Sequence, residues 1–240
     1  MAYTPQLIRA SSFRRPRHQT WPSSLNFPIS GGGYAIKNSP ENISFSKTGA
    51  YAVGFWIKFD ANDDVYRQII TLGNLSTDGW RIVKDRQAGK NIIAFQENKN
   101  FSADKWEYPT GFDITQWHHI LLTWIGNSSS SVTTYLFLNG IWRKTKVASI
   151  TWSGAVASTG PFIIGYDWSD HTIGGNINDI AFFNKILYSN HVFDMMYRRS
   201  FPQPISYWKG NENNPIVDVK VNNDLSIFNN VTIKSVHQSW

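Results

Sequence analysis

The stretch that most constrains this chain is residues 116–146, QWHHILLTWIGNSSSSVTTYLFLNGIWRKTK. Between Trp117 and Trp124 two rows alternate: Trp117, Leu121 and Thr123 on one side, Ile120, Leu122 and Trp124 on the other. Alternation at period two marks a strand, because successive side chains leave opposite faces of the pleat. Residues 126–131 are polar and predict a turn; β-branched and aromatic residues resume over 132–138, and Asn139-Gly140 leads into 141–146. Asn-Gly between alternating apolar runs is the strongest short-range hairpin signal, since a type I′ turn needs positive φ at both central residues. The stretch predicts a three-stranded antiparallel meander.

The rest of the chain repeats that texture. Short strands are expected at residues 25–27, 34–36, 50–60, 68–72, 79–83 and 91–96, separated by Gly, Asn and Asp. Within 50–60, Tyr51, Val53, Phe55, Ile57 and Phe59 share one row while Trp56 stands in the other. Residues 101–108 read as an aromatic loop, and strands follow the meander at 161–166 and 176–183. One helical segment is expected at 189–199, capped by Ser189 or Asn190, with Arg198 and Arg199 at the negative end of its dipole. Val192, Met195 and Met196 fall near one face of it, as core-packing residues do. Pro202 and Pro204 end the helix, and short strands return at 205–208, 225–228 and 231–233. Many short strands and one helix predict an all-β fold: an antiparallel two-sheet jelly-roll sandwich, with one short helix in its C-terminal half. Residues 1–24 read as a basic extended arm and 25–240 as one domain, in which 205–240 complete the sandwich or pack on a neighbour.

Composition bounds the function. The 240 residues are 41% hydrophobic and 15% aromatic, with 11 Trp, which is ample for one large core. The absence of cysteine excludes disulfides, a thiol nucleophile and cysteine-based metal sites. The first residues are basic but no apolar run follows them, so no signal peptide is expected, and synthesis in a cytoplasm is. No segment approaches the ~20 apolar residues of a membrane span. Sequons begin at Asn42, Asn74, Asn100, Asn127 and Asn230; without a signal peptide these read as turn residues.

In the arm, Arg9, Arg14, Arg15, Arg17 and His18 cluster around Pro5, Pro16 and Pro22. A solvated tail is one reading; docking on an adjacent subunit or an acidic surface is the other. The formal charge of +6 raises nucleic acid as a partner, but outside the arm basic and acidic residues are mixed and no helix carries a basic face. Specific nucleic-acid binding is not expected.

The strand AVGFWIKF, then WHHILLTW, YLFLNGIW and GNINDIAFFNKILYSNHVFDMMY, resemble in that order the laminin-G-like branch of the concanavalin A-like lectin/glucanase jelly-roll superfamily. The matching positions are Trp56, Trp117 to Ile120, Leu138 to Gly140, and Gly175 with Ile177 and Asp179, across residues 25–200. One departure stands out: residues 204–224 resemble the segment that opens such domains, yet here they follow the helix, as a circularly rearranged first strand would. The resemblance implies a jelly roll and a choice among lectins, adhesion modules, glycosidases and structural parts of virus particles; fold alone does not choose.

Chemistry narrows that choice. Retaining glycosidases need two carboxylates ~5–5.5 Å apart. None of the 17 Asp and Glu residues lies two positions from another, and the nearest groupings, Asp60/Asp63/Asp64 and Asp167/Asp170, fall in expected loops. No Gly-x-Ser-x-Gly elbow is present. Adjacent on a strand, His118 and His119 point to opposite faces and cannot chelate one metal together; the reading is one histidine inside, bonded to backbone, and one outside. Several relatives bind calcium at the sandwich rim, and the resemblance makes Asp63, Asp64, Asp167 and Asp170 weak candidates for it, against ordinary turn chemistry. Otherwise no cofactor is expected. The aromatic loops are the better lead: Trp106, Tyr108, Trp152, Tyr166 and Trp168, with Asp170, are candidates for contact with a glycan or a protein partner. The expectation is a non-enzymatic structural or binding module of a larger assembly, oligomeric or particle-bound. A phage or virus particle is the setting, as capsid decoration, head fibre or tail-associated protein, with glycan adhesion as an accessory role. A free-standing lectin-like protein is the alternative.

Overall fold

Alternation over short segments, with turn residues between, leaves each strand one apolar row to bury, and two such sheets bury their rows against each other. The computed structural model describes residues 23–30, 32–41, 43, 49–63, 65–73, 79–87, 90–97, 104–107, 113–128, 131–149, 160–165, 172–196, 203–209, 218, 224–228 and 231–234. Among these residues the strands are β1 (Ser24–Phe27), β2 (Tyr34–Lys37), β3 (Ala50–Phe59), β4 (Arg67–Leu72), β5 (Trp80–Gln87), β6 (Lys90–Glu97), β7 (Asp104–Glu107), β8 (His118–Ser128), β9 (Ser131–Leu138) and β10 (Ile141–Ser149). Then come β11 (Phe162–Ile164), β12 (Gly175–Phe183), the helix α1 (Ser189–Met196), β13 (Ser206–Trp208), β14 (Ser226–Phe228) and β15 (Thr232–Lys234). Sheet A runs β10-β9-β8-β3-β12-β1-β15, with β13 also on β12; sheet B runs β14-β2-β11-β4-β5-β6-β7. The ladders are antiparallel throughout. The antiparallel two-sheet jelly roll with one short helix is the observed fold.

The rows read from sequence are the rows that pack. Val53, Phe55, Ile57 and Phe59 of β3 join Ile120, Leu122 and Trp124 of β8 in the core between the sheets. Ala52, Trp56 and Leu121 face away, into a second layer with Phe137, Phe183, Leu187 and the α1 residues Val192, Met195 and Met196. The outer face of sheet A is therefore closed by a helix. Gly54 makes that approach possible, because a Cβ there would collide with Met195 Cε. The C-terminal strands join this same sandwich: β13 pairs with β12, β14 with β2 and β15 with β1. Trp208 stacks on Phe162 at 4.8 Å and 16° in the core.

Four local expectations need correction. Part of the 101–108 segment is the edge strand β7, imposed by pairing with β6 rather than by any alternation of its own. The polar stretch after Ile125 is not all turn: Gly126 still pairs with Val132 and Ser128 with Ser131, across a bulge. The cap position of the helix falls on Tyr188, one residue before Ser189 and two before Asn190. Ser189 is its first residue, and the Tyr188 N–H is held by His191 Nδ1 at 3.1 Å while Tyr188 O accepts from Val192 N. That is half of a capping box, with histidine in the place of the usual Glu or Gln. Finally, both His118 and His119 are buried, at 8% and 1% exposure: His118 shares the inter-sheet row of Ile120 and Leu122, and α1 covers the opposite face, where His119 lies beside Trp56. Residues 197–199 of the expected helix lie outside the described residues. No described helix is long and apolar enough to cross a membrane.

Candidate functional site

Of the residues singled out for ligand contact, the structure places one. Trp106 lies on β7, its backbone paired with Ile93 of β6. Tyr108, Trp152, Tyr166, Trp168 and Asp170 lie outside the described residues, as do Asp64, Asp167 and the arm residues Arg9, Arg14, Arg15 and Arg17.

Asp63 is described, and its carboxylate is already committed. Its Oδ2 accepts from Arg67 Nη2, and its Oδ1 accepts from Lys84 Nζ at 2.8 Å. Lys84 is completely buried and spends its other donors on the carbonyls of Asp63 (2.6 Å) and Val65 (3.4 Å). Arg67 Nη1 reaches Thr172 O at 3.1 Å. Burial works to raise the Asp63 pKa, but the bonds and charges of Arg67 and Lys84 win and bring it to about 2. Burial pulls the Lys84 ammonium below the usual lysine range, against the pull of Asp63. The cluster ties the loop after β3 to β4, β5 and the approach to β12. Among the described residues no group of three or more His, Asp or Glu is arranged to hold a metal ion.

The two histidines of β8 are framework as well. Asn139 sits at φ 50 and Gly140 at φ 76, the left-handed pair that an Asn-Gly turn requires. The Asn139 side chain folds back on β8: its Oδ1 accepts from His119 N at 2.8 Å and its Nδ2 donates to His118 Nδ1 at 3.0 Å. With Nδ1 accepting, the proton of His118 is on Nε2, where it donates to Asp113 O at 2.7 Å. His118 is thus neutral, and burial holds its pKa below the usual value. His119 lies edge-on to Trp56, ring centroids 5.3 Å apart, and its buried Nδ1 has no hydrogen-bond partner. Burial drives its pKa down to about 3.

The accessible chemistry lies on the other sheet. Ala35, Ile70, Leu72, Ile82, Phe162 and Ile164 of sheet B fill the core, so the alternate residues face outward. Registers align Ser226, Ile36, Ile163, Thr71 and Arg81 in one outward row across β14, β2, β11, β4 and β5. At ~4.8 Å per strand, that row is about 19 Å long. Beside it Phe228 and Tyr34 oppose each other across β14 and β2 and stack, with centroids 5.1 Å apart and planes 14° apart. Phe228 is 43% exposed; Tyr34, Ile36 and Ile163 are half-buried and Ser226 is exposed. At the far end the Arg81 guanidinium lies 5.5 Å over the Tyr66 ring, and Tyr66 packs on Val83 and Ala94. The result is an aromatic ledge at a sheet edge, with the exposed Ser226 beside it and the half-buried Ile36 and Ile163 next in the row; Thr71, further on, is buried and accepts from Gln68 Nε2 at 2.6 Å. Sequence reasoning found the strands but missed this pair. The one local signal was the alternation Leu225-Ser226-Ile227-Phe228, which leaves Phe228 opposite in sense to the buried Leu225 and Ile227 side.

Residues 30–193 match the model of the concanavalin A-like lectin/glucanases superfamily. No curated protein matches the sequence. Among solved structures, the fold is similar to a native heptameric SAP-like pentraxin from Limulus polyphemus: TM-score 0.64 and 14% identity, over 90% of this chain and 95% of that one. It is also similar to domains LG4-5 of the mouse laminin alpha1 chain, at TM-score 0.50 and 12% identity over 79% and 48% of the two chains. A third likeness is to botulinum neurotoxin type C, whose cell entry depends on interaction with two ganglioside molecules: TM-score 0.51 and 17% identity over 75% and 44%. At these identities the likeness is one of fold.

Proposed function

The chain belongs to the concanavalin A-like lectin/glucanases superfamily, and from that membership we propose that it is a non-enzymatic carbohydrate-binding module presented within a larger assembly. The observation that carries this reading is the ledge on sheet B: a stacked Tyr34–Phe228 pair with Phe228 43% exposed. An exposed aromatic face next to hydroxyl groups, here Ser226 and the Tyr34 phenol, suits a sugar, whose ring offers an apolar face and a polar rim. That ledge carries no carboxylate pair, the group that sugar hydrolysis would need. A ganglioside-dependent relative of similar fold is compatible with glycan recognition.

The assembly half of the proposal rests on the basic arm, with Arg9, Arg14, Arg15 and Arg17 reaching a neighbouring subunit, and a phage or virus particle is the setting it suits. A glycan array with the full chain and with Phe228→Ala tests the first half. Binding that falls three- to tenfold in the variant supports the ledge, an aromatic contact being worth roughly 0.5–1.5 kcal/mol. No binding to any sugar leaves the purely structural role. For the second half, removal of residues 1–20 is expected to abolish self-association in light scattering; unchanged assembly refutes it.

A further inference from the structure

Three histidines bear on α1, His191 from within it, His119 from beneath it and His118 through the β9–β10 turn, and each is used in a way that only a neutral ring allows. His191, in the first turn of α1, accepts the Tyr188 N–H on Nδ1 and so closes the helix start. His118 accepts the Asn139 amide on Nδ1 and so pins the β9–β10 turn. That turn lies against α1: a Cβ on Gly140 would come within 2.7 Å of Phe193. His119 puts an unpartnered Nδ1 into the apolar layer beneath the helix, beside Trp56.

We propose that α1 is an acid-released cover, undocked from sheet A when these three rings take up protons. Protonation at Nδ1 turns an acceptor into a donor. In His191 it then opposes the Tyr188 N–H, and in His118 it opposes the Asn139 amide. In His119 it places a charge in a layer made of Ala52, Trp56, Leu121, Phe137 and Phe183, where an unpaired charge is expensive.

The charged neighbours do not cancel this. Asp194 favours a protonated His191 while Lys185 opposes it, and burial holds the ring below its ordinary pKa; Tyr188 adds only its ring and amide. Asp113 favours a charged His118 and burial outweighs it; the Asn139 amide, donating to Nδ1, fits only the neutral ring. Among the described residues nothing charged acts on His119, where burial stands alone. All three shifts have one sign. The closed form binds fewer protons than the open one, so opening is favoured as pH falls below about 6.5, the ordinary histidine value. Each proton taken up on opening adds a factor of ten per pH unit; three together give up to a thousandfold per unit. The exposed product would be an apolar face absent at neutral pH.

Hydrogen exchange of the full chain between pH 7.5 and 4, corrected for the intrinsic pH dependence of exchange, tests it. The expected result is that amides 192–196 lose protection more than tenfold per pH unit below pH 6.5 while β3 and β8 remain protected. Replacing His119→Phe and His191→Asn, which keeps an acceptor for Tyr188, should flatten that slope. If His119→Phe does not fold, His191→Asn alone should reduce the slope by about tenfold per pH unit. Helix protection that is independent of pH, that disappears together with the strands, or that titrates identically in the variants overturns the proposal.

Discussion

Both outer faces of this sandwich are built by the same period-two rule, yet they end in opposite conditions. On sheet A the outward row is Ala52, Trp56, Leu121, Phe137 and Phe183, all buried beneath α1. On sheet B the outward row mixes Ile36 and Ile163 with Ser226, Thr71 and Arg81, and leaves Phe228 43% exposed. Eight residues of helix following β12 lie across sheet A, whereas on sheet B Thr71, Val83 and Ala94 are buried and exposure is greatest at the β14–β2 edge, at Ser226 and Phe228. A face with a cover can be wholly apolar, and its residues then serve stability. A face without one must keep polar groups, and an exposed aromatic there is available to a ligand.

The largest expected effect tests the covered face. Trp56 is 2% exposed beneath α1, so Trp56→Ala should cost about 3–5 kcal/mol in urea unfolding. A loss under 1 kcal/mol would mean that the helix does not seal the layer.

Next comes the ion cluster at the end of sheet B. Asp63→Asn leaves the buried Lys84 and Arg67 without their carboxylate, and about 2–3 kcal/mol should be lost, below the full range for a wholly buried pair because Asp63 is partly exposed. The sign in acid separates the two regions. Asp63 has its folded pKa lowered to about 2. Its contribution is therefore present above about pH 4 and lost as pH falls through about 2. His119, lowered to about 3 by burial, contributes fully above about pH 6.5 and loses its contribution as pH falls toward 3. An acid titration followed by Trp fluorescence should thus loosen the helix side before the Asp63 cluster. The reverse order would break the contrast.

A smaller effect belongs to the turn between β9 and β10. Gly140→Ala combines φ 76 with a Cβ 2.7 Å from Phe193, and about 1–3 kcal/mol should be lost in thermal unfolding. An unchanged melting temperature would show that the turn is not wedged under the helix.

Most of this fold was legible because its signals are local. Alternation in 50–59 and 118–124 and the Asn139-Gly140 turn specify strands without reference to partners. What was not legible depends on partners. Residues 104–107, DKWE, have no strand pattern; β6 supplies the ladder that makes them β7. One of the two histidines is expected outside because an antiparallel sheet commonly has one wet face, and the path of α1 over the His119 side removes the water there. The Tyr34–Phe228 ledge joins residues from opposite ends of the chain, beyond the reach of any window. The aromatic residues chosen from sequence were chosen for crowding in loops, whereas exposure of a ring is decided by which face of a finished sheet remains open.

The smallest effect on stability is also the sharpest test of that distinction. Phe228 ends a three-residue edge strand, stacks on Tyr34 and is 43% exposed. Removing it creates no cavity, so the transfer and cavity terms that make Trp56→Ala costly are both absent. Only the stacked pair is lost, and Phe228→Ala should cost no more than about 0.5–1.5 kcal/mol by calorimetry. If the loss instead approaches that of Trp56→Ala, Phe228 is part of the framework and the ledge is not a free surface. If stability barely changes while glycan binding falls, the ring is held outward at little gain to the fold, which is what a binding residue on an uncovered sheet face should show.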